Sequence, residues 1–158
     1  MPQLSNYTYD ELQIGQRAQY SKTINERDLL LFAAVSGDLN PMHLDADFAA
    51  TTPFKERIAH GMLTGAMISA AIAMKLPGPG TIYLGQSLKF RLPVKIGDTI
   101  CVQLEVTQKQ DKRRLITLDC KAHNQNKKIV VSGTAEVMAP AEKLLLEQPQ
   151  LPAIELGI

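Results

Sequence analysis

Residues 61–75 read Gly61-Met62-Leu63-Thr64-Gly65-Ala66-Met67-Ile68-Ser69-Ala70-Ala71-Ile72-Ala73-Met74-Lys75. Apolar and small side chains fall on nearly every face of a helix built from them. A helix of that kind is expected to be surrounded by protein instead of lying on a surface. Its small residues let other backbones come close. Pro77-Gly78-Pro79-Gly80 ends it firmly. The stretch is too short and too interrupted, by Thr64, Ser69 and Lys75, to span a bilayer, which takes about 20 apolar residues.

Everything downstream of this helix reads as strand. Thr81 to Leu92 alternates, with Ile82, Leu84, Gln86, Leu88, Phe90 and Leu92 on one side. Tyr83, Gly85, Ser87, Lys89 and Arg91 take the other side, so a half-buried strand is expected. Strands over Ile100–Gln110, Leu115–His123 and Lys128–Met138 follow, separated by the polar turns Asp111-Lys112 and Asn124-Gln125-Asn126. Consecutive strands with tight turns make an antiparallel meander.

Upstream, residues 1–15 read as an irregular lead-in, and Gln16 to Ile24 alternates as a first strand. Asn25 has the character of an N-cap, with Glu26 and Asp28 in the first turn of a helix that runs to Ser36-Gly37. Asp38 to Asp45 is expected to be a loop around Asn40-Pro41, followed by a short helix over Asp45–Thr52. The economical architecture is α+β, a curved antiparallel sheet wrapped around the long central helix. Residues 1–140 are expected to form a single domain and 141–158 a peripheral tail. A sheet of this kind leaves edges, and a second copy of the chain can pair with one of them.

Bulk properties narrow the function. The 158 residues are 45% hydrophobic, so a substantial core is expected. With 17 basic and 16 acidic side chains the net charge is +1, which argues against a nucleic-acid partner. Cys101 and Cys120 lie in strand-like segments without a CxxC or a histidine at ligand spacing, so two buried thiols in a reducing compartment are expected, and no metal. No secretory signal pattern opens the chain. A cytoplasmic protein without membrane contact is the expectation. P-loop, GxGxxG, HExxH and GxSxG patterns are all missing, and no cofactor is implied.

The chemistry concentrates in Asp38-Leu39-Asn40-Pro41-Met42-His43. A carboxylate and an imidazole five residues apart, with an Asn-Pro turn between them, are parts for acid/base work. His60-Gly61 then opens the central helix, where a backbone N–H can face a developing oxyanion. Each residue also has a plainer reading. Asp38 suits an Asx turn. His43 alone suits a structural histidine. Asn40 is the extended residue before Pro41, or else its amide braces the loop or His43. Gly61 suits a helix entry that needs close packing. His60 suits a cap or a substrate contact, with a structural role favoured. His123, beside a turn, suits an exposed residue. Lys89, Arg91 and Lys95 read as a solvated face, or as a seat for the phosphates of coenzyme A.

Asp38-Leu39-Asn40-Pro41-Met42-His43-Leu44-Asp45, Ile58-Ala59-His60-Gly61-Met62, Gly80–Leu88 and Pro93-Val94-Lys95-Ile96-Gly97-Asp98 together resemble the MaoC-type (R)-specific enoyl-CoA hydratases. The likeness covers roughly residues 10–138, with four motifs in order, and stops short of the tail. It implies a hot dog fold, a homodimer and an acyl-CoA substrate, with syn addition of water to a trans-2-enoyl-CoA giving the (R)-3-hydroxyacyl-CoA used in polyhydroxyalkanoate synthesis. It assigns catalysis to Asp38 and His43, the oxyanion site to Gly61, and a pocket position to Ser69. Asp38 would take a proton from the water, and His43 would share that water and either protonate the α-carbon or only orient the water, a division of work that the sequence leaves open. Partial burial of Asp38 under the short helix is expected. Asn40 and His60 would support them. Alternatives are a 3-hydroxyacyl-ACP dehydratase working in reverse on another carrier, an acyl-CoA thioesterase of the same fold, or a non-catalytic acyl-CoA-binding subunit. Acyl-chain length is not legible from these residues.

Overall fold

The structure, a computed structural model, describes residues 1–157. Ile158, the last residue of the expected tail, lies outside the described residues. The elements run β1 (Gln3–Ser5), β2 (Arg17–Thr23), α1 (Glu26–Ser36), α2 (Pro41–Leu44), α3 (Ala46–Ala50), α4 (Gly61–Met74), β3 (Ile82–Phe90), β4 (Thr99–Gln110), β5 (Leu115–His123), β6 (Ile129–Met138) and β7 (Leu145–Glu147). A five-stranded antiparallel sheet has the order β2-β4-β5-β6-β3. Helix α4 lies against β2, β4 and β5. This is the hot dog arrangement.

The alternating strands account for the core. Ile100, Val102, Leu104 and Val106 of β4 and Ile116, Leu118, Cys120 and Ala122 of β5 are buried. They meet Met67, Ile68, Ala71 and Ile72 of α4 in one cluster. Burying side chains of this size contributes roughly 1.5–3 kcal/mol each, which makes the helix–sheet interface the dominant favourable term.

Helix α1 starts as its sequence demands. Asn25 accepts from the Asp28 N–H at 3.0 Å and donates its own N–H to the Asp28 carboxylate at 2.9 Å. The helix ends at Gly37, which takes the left-handed conformation at φ 81°.

Four features differ from expectation. The segment expected to be a loop before Asp45 contains α2, a single turn capped by Asn40 with Pro41 at its first position. The lead-in is not irregular throughout, since β1 pairs antiparallel with β7 of the tail. Asn6, buried between them, donates to the carbonyls of Pro79 and Glu142 and accepts from the Leu144 N–H. An ion pair from Glu11 to Lys143 at 3.0 Å joins the same two ends, and it holds the Glu11 carboxyl below its ordinary range.

Strand β3 is largely exposed, not half-buried, because it is the sheet's edge. Its alternation also reverses partway. The register with β6 slips between Tyr83 and Gly85, leaving Leu84 as an extra residue. Cross-strand partners share a face, and Tyr83 lies opposite Val137 while Gln86, Leu88 and Phe90 lie opposite Ala135, Gly133 and Val131. The bulge therefore puts Tyr83 on the concave side with Gln86, where unbroken alternation would have separated them.

Finally, α4 is not surrounded within one chain. Met62, Ala66 and Ala73 are exposed and Ser69 and Ala70 half-buried, a continuous stripe along the helix. The sheet is wide enough to cover only one side of it.

At Gly133 there is no room for a side chain between β6 and β3. A Cβ there would sit 1.8 Å from the Ser87 carbonyl oxygen, and that contact is backbone. Gly133→Ala is expected to lower the unfolding free energy by about 2 kcal/mol or more, read from urea denaturation, because β3 has to move to admit the methyl group.

Candidate active site

The site is built on three short pieces of chain at the N-terminal end of α4. The first is the turn after α1. The Asn40 N–H donates to Asp38 Oδ1 at 3.1 Å, an Asx turn that holds the carboxylate. The other oxygen, Oδ2, stands 3.7 Å from His43 Nε2. The Asp38 side chain is 48% exposed, more open than the expected partial burial under α2. Asn40 braces the loop and not His43, since its Oδ1 accepts the Met42 N–H at 3.1 Å and so caps α2.

The second piece is α2, which carries His43 into the interior. His43 Nδ1 lies 2.7 Å from the Ile58 carbonyl oxygen. A carbonyl only accepts, so Nδ1 carries a proton, and in the neutral ring Nε2 is the bare nitrogen facing Asp38.

The third piece is residues 57–60, threaded between α2 and the segment before β4. Ala59 donates its N–H to the Val94 carbonyl at 2.7 Å. Arg57 donates from Nε to the His43 carbonyl at 2.7 Å and from Nη1 to Glu26 at 2.8 Å, tying the end of α2 to the start of α1. Arg57 and the Ile58 carbonyl went unrecognised in the sequence. No periodicity signals a guanidinium that bridges two helices, or a backbone acceptor.

His60 is the N-cap of α4, but its side chain makes no cap. Its Nε2 instead lies 3.1 Å from the Asp38 carbonyl oxygen, and its ring stacks on His43 with centroids 3.8 Å apart. Gly61 follows as the first helical residue, where the first-turn N–H groups have no acceptor inside the helix. The Phe90 ring closes over this point. A Cβ on Gly61 would come to 3.0 Å from it, so a larger residue would have to displace the ring.

Two cavities flank these residues. One, of about 300 Å³, is lined by Ile58, His60, Gly61, Thr64, Phe90 and Val94. The other is an open groove of about 500 Å³ between α4 and β3, where Ser69 lies with Phe32, Met62, Tyr83, Gln86 and Leu88. Both are mainly apolar. The Tyr83 hydroxyl donates to Gln86 Oε1. Burial pushes the Tyr83 phenol up to about 12, so it remains a donor.

The basic residues do not all converge. Lys89 lies on the outer face of β3 and Arg91 just past its end, where Arg91 Nε donates to Ser132 Oγ at 2.8 Å. Arg91 also lines the smaller cavity. Lys95 sits in the turn before β4, ion-paired with Glu56 at 3.5 Å. His123, half-buried at the C-terminal end of β5, pairs with Cys101 and Ile129 and lines neither cavity. Cys120 is buried and its thiol is pushed up to about 11 by that burial, which leaves it unreactive. Asp38, His43 and His60 do bring ligand-type atoms within 4.8 Å of one another. Stacked imidazoles, however, send their in-plane lone pairs along near-parallel planes, whereas an ion needs them to converge.

A curved sheet on one long helix, with a carboxylate–imidazole pair at the helix N-terminus, defines a hot dog protein equipped for acid/base chemistry. The chain belongs to the family described as MaoC like domain, which it matches over residues 10–128. It is similar to the R-hydratase PhaJ1 from Pseudomonas aeruginosa, solved in the unliganded form. That structure is 60% identical, with a TM-score of 0.95, over 99% of this chain and 100% of its own. The likeness thus runs through the tail, beyond the point where the sequence motifs stop. An (R)-hydratase from A. caviae involved in PHA biosynthesis is 43% identical, with a TM-score of 0.79, over 82% of this chain and 98% of its own. The "(R)-specific enoyl-CoA hydratase" of Rhodospirillum rubrum is 46% identical over 84% of this chain and 92% of that protein.

Proposed function

We propose that this chain is an (R)-specific enoyl-CoA hydratase. The observation that carries the reading is the pairing of Asp38 Oδ2 and His43 Nε2, 3.7 Å apart, beside the free amide end of α4 and an apolar cavity. A water held between the two groups donates one hydrogen to each. As the water oxygen bonds to the β-carbon of a trans-2-enoyl thioester, Nε2 takes a proton from it. The π electrons of the double bond move onto the thioester oxygen, where the Gly61 N–H and the helix N-terminus stabilise the enolate. The imidazolium then gives its Nε2 proton to the α-carbon on the same face, and the carbonyl reforms. Asp38 orients the water and offsets the charge on His43. Of the two residues, His43 is the shuttle, because its Nδ1 proton is committed to the Ile58 carbonyl. The thioester carbonyl itself serves as the electron sink, so the reaction needs only residues of this chain.

The reading includes a homodimer. An edge strand with exposed Ile82, Leu84 and Phe90 and an uncovered stripe of small residues on α4 adjoin one another. A second copy pairing along β3 would bury both and close the groove at Ser69 into an acyl pocket. Sedimentation of the purified protein is expected to give twice the chain mass of 17.4 kDa, and a single-chain species would reject this. Reduced, unpaired Cys101 and Cys120 suit a cytoplasmic setting, and among the described residues no helix is long and apolar enough to cross a membrane. Supply of (R)-3-hydroxyacyl-CoA to polyhydroxyalkanoate synthesis is the role that fits this product.

Purified protein is expected to remove the conjugated absorbance of crotonyl-CoA and yield the (R)-alcohol on chiral analysis. Asp38→Asn and His43→Ala should each lower kcat/KM by at least about 10² while the far-ultraviolet spectrum stays unchanged. Activity confined to the acyl-carrier-protein thioester would instead make the chain a dehydratase of fatty-acid synthesis, and thiol release from saturated acyl-CoA would make it a thioesterase.

Lys89 and Arg91 form the proposed seat for coenzyme A phosphates, Lys95 being engaged by Glu56. The Lys89→Ala/Arg91→Ala double variant is expected to raise KM for crotonyl-CoA about fivefold or more with kcat little changed. The gap to the parent should narrow at high salt, where surface charges are screened. An unaltered KM would show that the phosphates sit elsewhere.

A further inference from the structure

We infer that His60 is a positioning residue that locks Asp38 and His43 into one unit, and this rests on their role in hydration. His60 is only 2% exposed, and its two ring nitrogens are in opposite situations. Nε2 faces the Asp38 carbonyl at 3.1 Å, and that oxygen only accepts, so the nitrogen carries the proton. Nδ1 is buried and has no partner among the described residues. A proton placed there would meet no acceptor, and an orphaned buried donor is costly. His60 is thus unsuited to proton transfer even though it contacts the backbone of Asp38 and the ring of His43.

What it does instead follows from geometry. The ring stacks on His43, with centroids 3.8 Å apart and planes 24° apart, and also meets Phe32, with centroids 5.0 Å apart and planes tilted 54°. One edge of the ring holds the backbone of Asp38, and one face holds the plane of His43. The 3.7 Å gap between the catalytic carboxylate and imidazole is therefore set by a third residue, 22 positions from Asp38, anchored at the start of α4. The same anchor puts Gly61 next in the chain, so the oxyanion donor and the acid/base pair share one support. The groups around the His43 ring are Asp38 from the turn, His60 from the helix start and the Ile58 carbonyl. Arg57 reaches only the His43 backbone, with Glu26 beyond it.

The test separates positioning from packing. His60→Phe keeps the ring and its burial but removes the donor to Asp38. His60→Gln keeps a donor but removes the stack. Each is expected to lower kcat on crotonyl-CoA at least tenfold with KM within threefold, since small displacements of reacting groups are expensive in rate. A filler histidine would tolerate phenylalanine, so a kcat change below tenfold in His60→Phe, or an effect confined to KM, would overturn the inference. The chain has three histidines, so long-range 1H–15N correlation spectra of the unaltered protein resolve them without activity. The expected result is His60 with its proton on Nε2. A spectrum placing it on Nδ1 would overturn the inference even if a variant failed to fold. Absence of hydratase activity in the unaltered protein would remove the hydratase reading and leave the tautomer result standing.

Discussion

The structure depends on covering α4. Met67, Ile68, Ala71 and Ile72 have to leave water, and no single flat element can enclose them. Four strands with alternating apolar faces solve this by curving over the helix, with β3 closing the sheet at its edge. The curvature leaves the N-terminal end of α4 open, because the chain has to enter there from α1–α3. The site lies at this end. Its position is a consequence of how the helix is buried, and the first amides there have no acceptor within the helix itself, Leu63 donating back to the His60 carbonyl.

Around that opening the side chains form one connected set of contacts. The Ile58 carbonyl fixes which nitrogen of His43 is bare, the Asn40 amide fixes one oxygen of Asp38, and Arg57 holds the end of α2 against α1. None of these bonds is strong alone; hydrogen bonds contribute roughly 0.5–1.5 kcal/mol net, and those to charged groups somewhat more. Their value is directional. Together they hold one carboxylate oxygen of Asp38 3.7 Å from the bare nitrogen of His43.

Much of this was legible in the order of residues. The strand alternation in Thr99–Gln110 and Leu115–His123 and the breaker after α4 located the elements, and the Asn25 cap is where its residue type places it. Asp38 and His43 are close in sequence, so a single turn brings them together. The less legible features depend on distant partners. The alternation over Thr81–Leu92 predicts a half-buried β3, but exposure is decided by whether a neighbour exists on its outer side. The Leu84 bulge broke the alternation, and only pairing with β6 reveals it. The sequence groups Lys95 with Lys89 and Arg91, whereas the fold sets it beside Glu56.

The sequence by itself determined the period of each segment, the helix caps, the Asp38–His43 pair within one turn, and the glycine at the start of α4. These are local, since backbone geometry repeats over a few residues and a short loop can hold two side chains together. Tertiary structure alone decided that β1 pairs with β7, that Tyr83 and Gln86 meet on one face, and that His60 reaches back to Asp38 and stacks on His43. Those contacts join residues far apart in the chain. They form only once burial of the central helix has fixed where each segment lies, and no periodicity along the sequence encodes them.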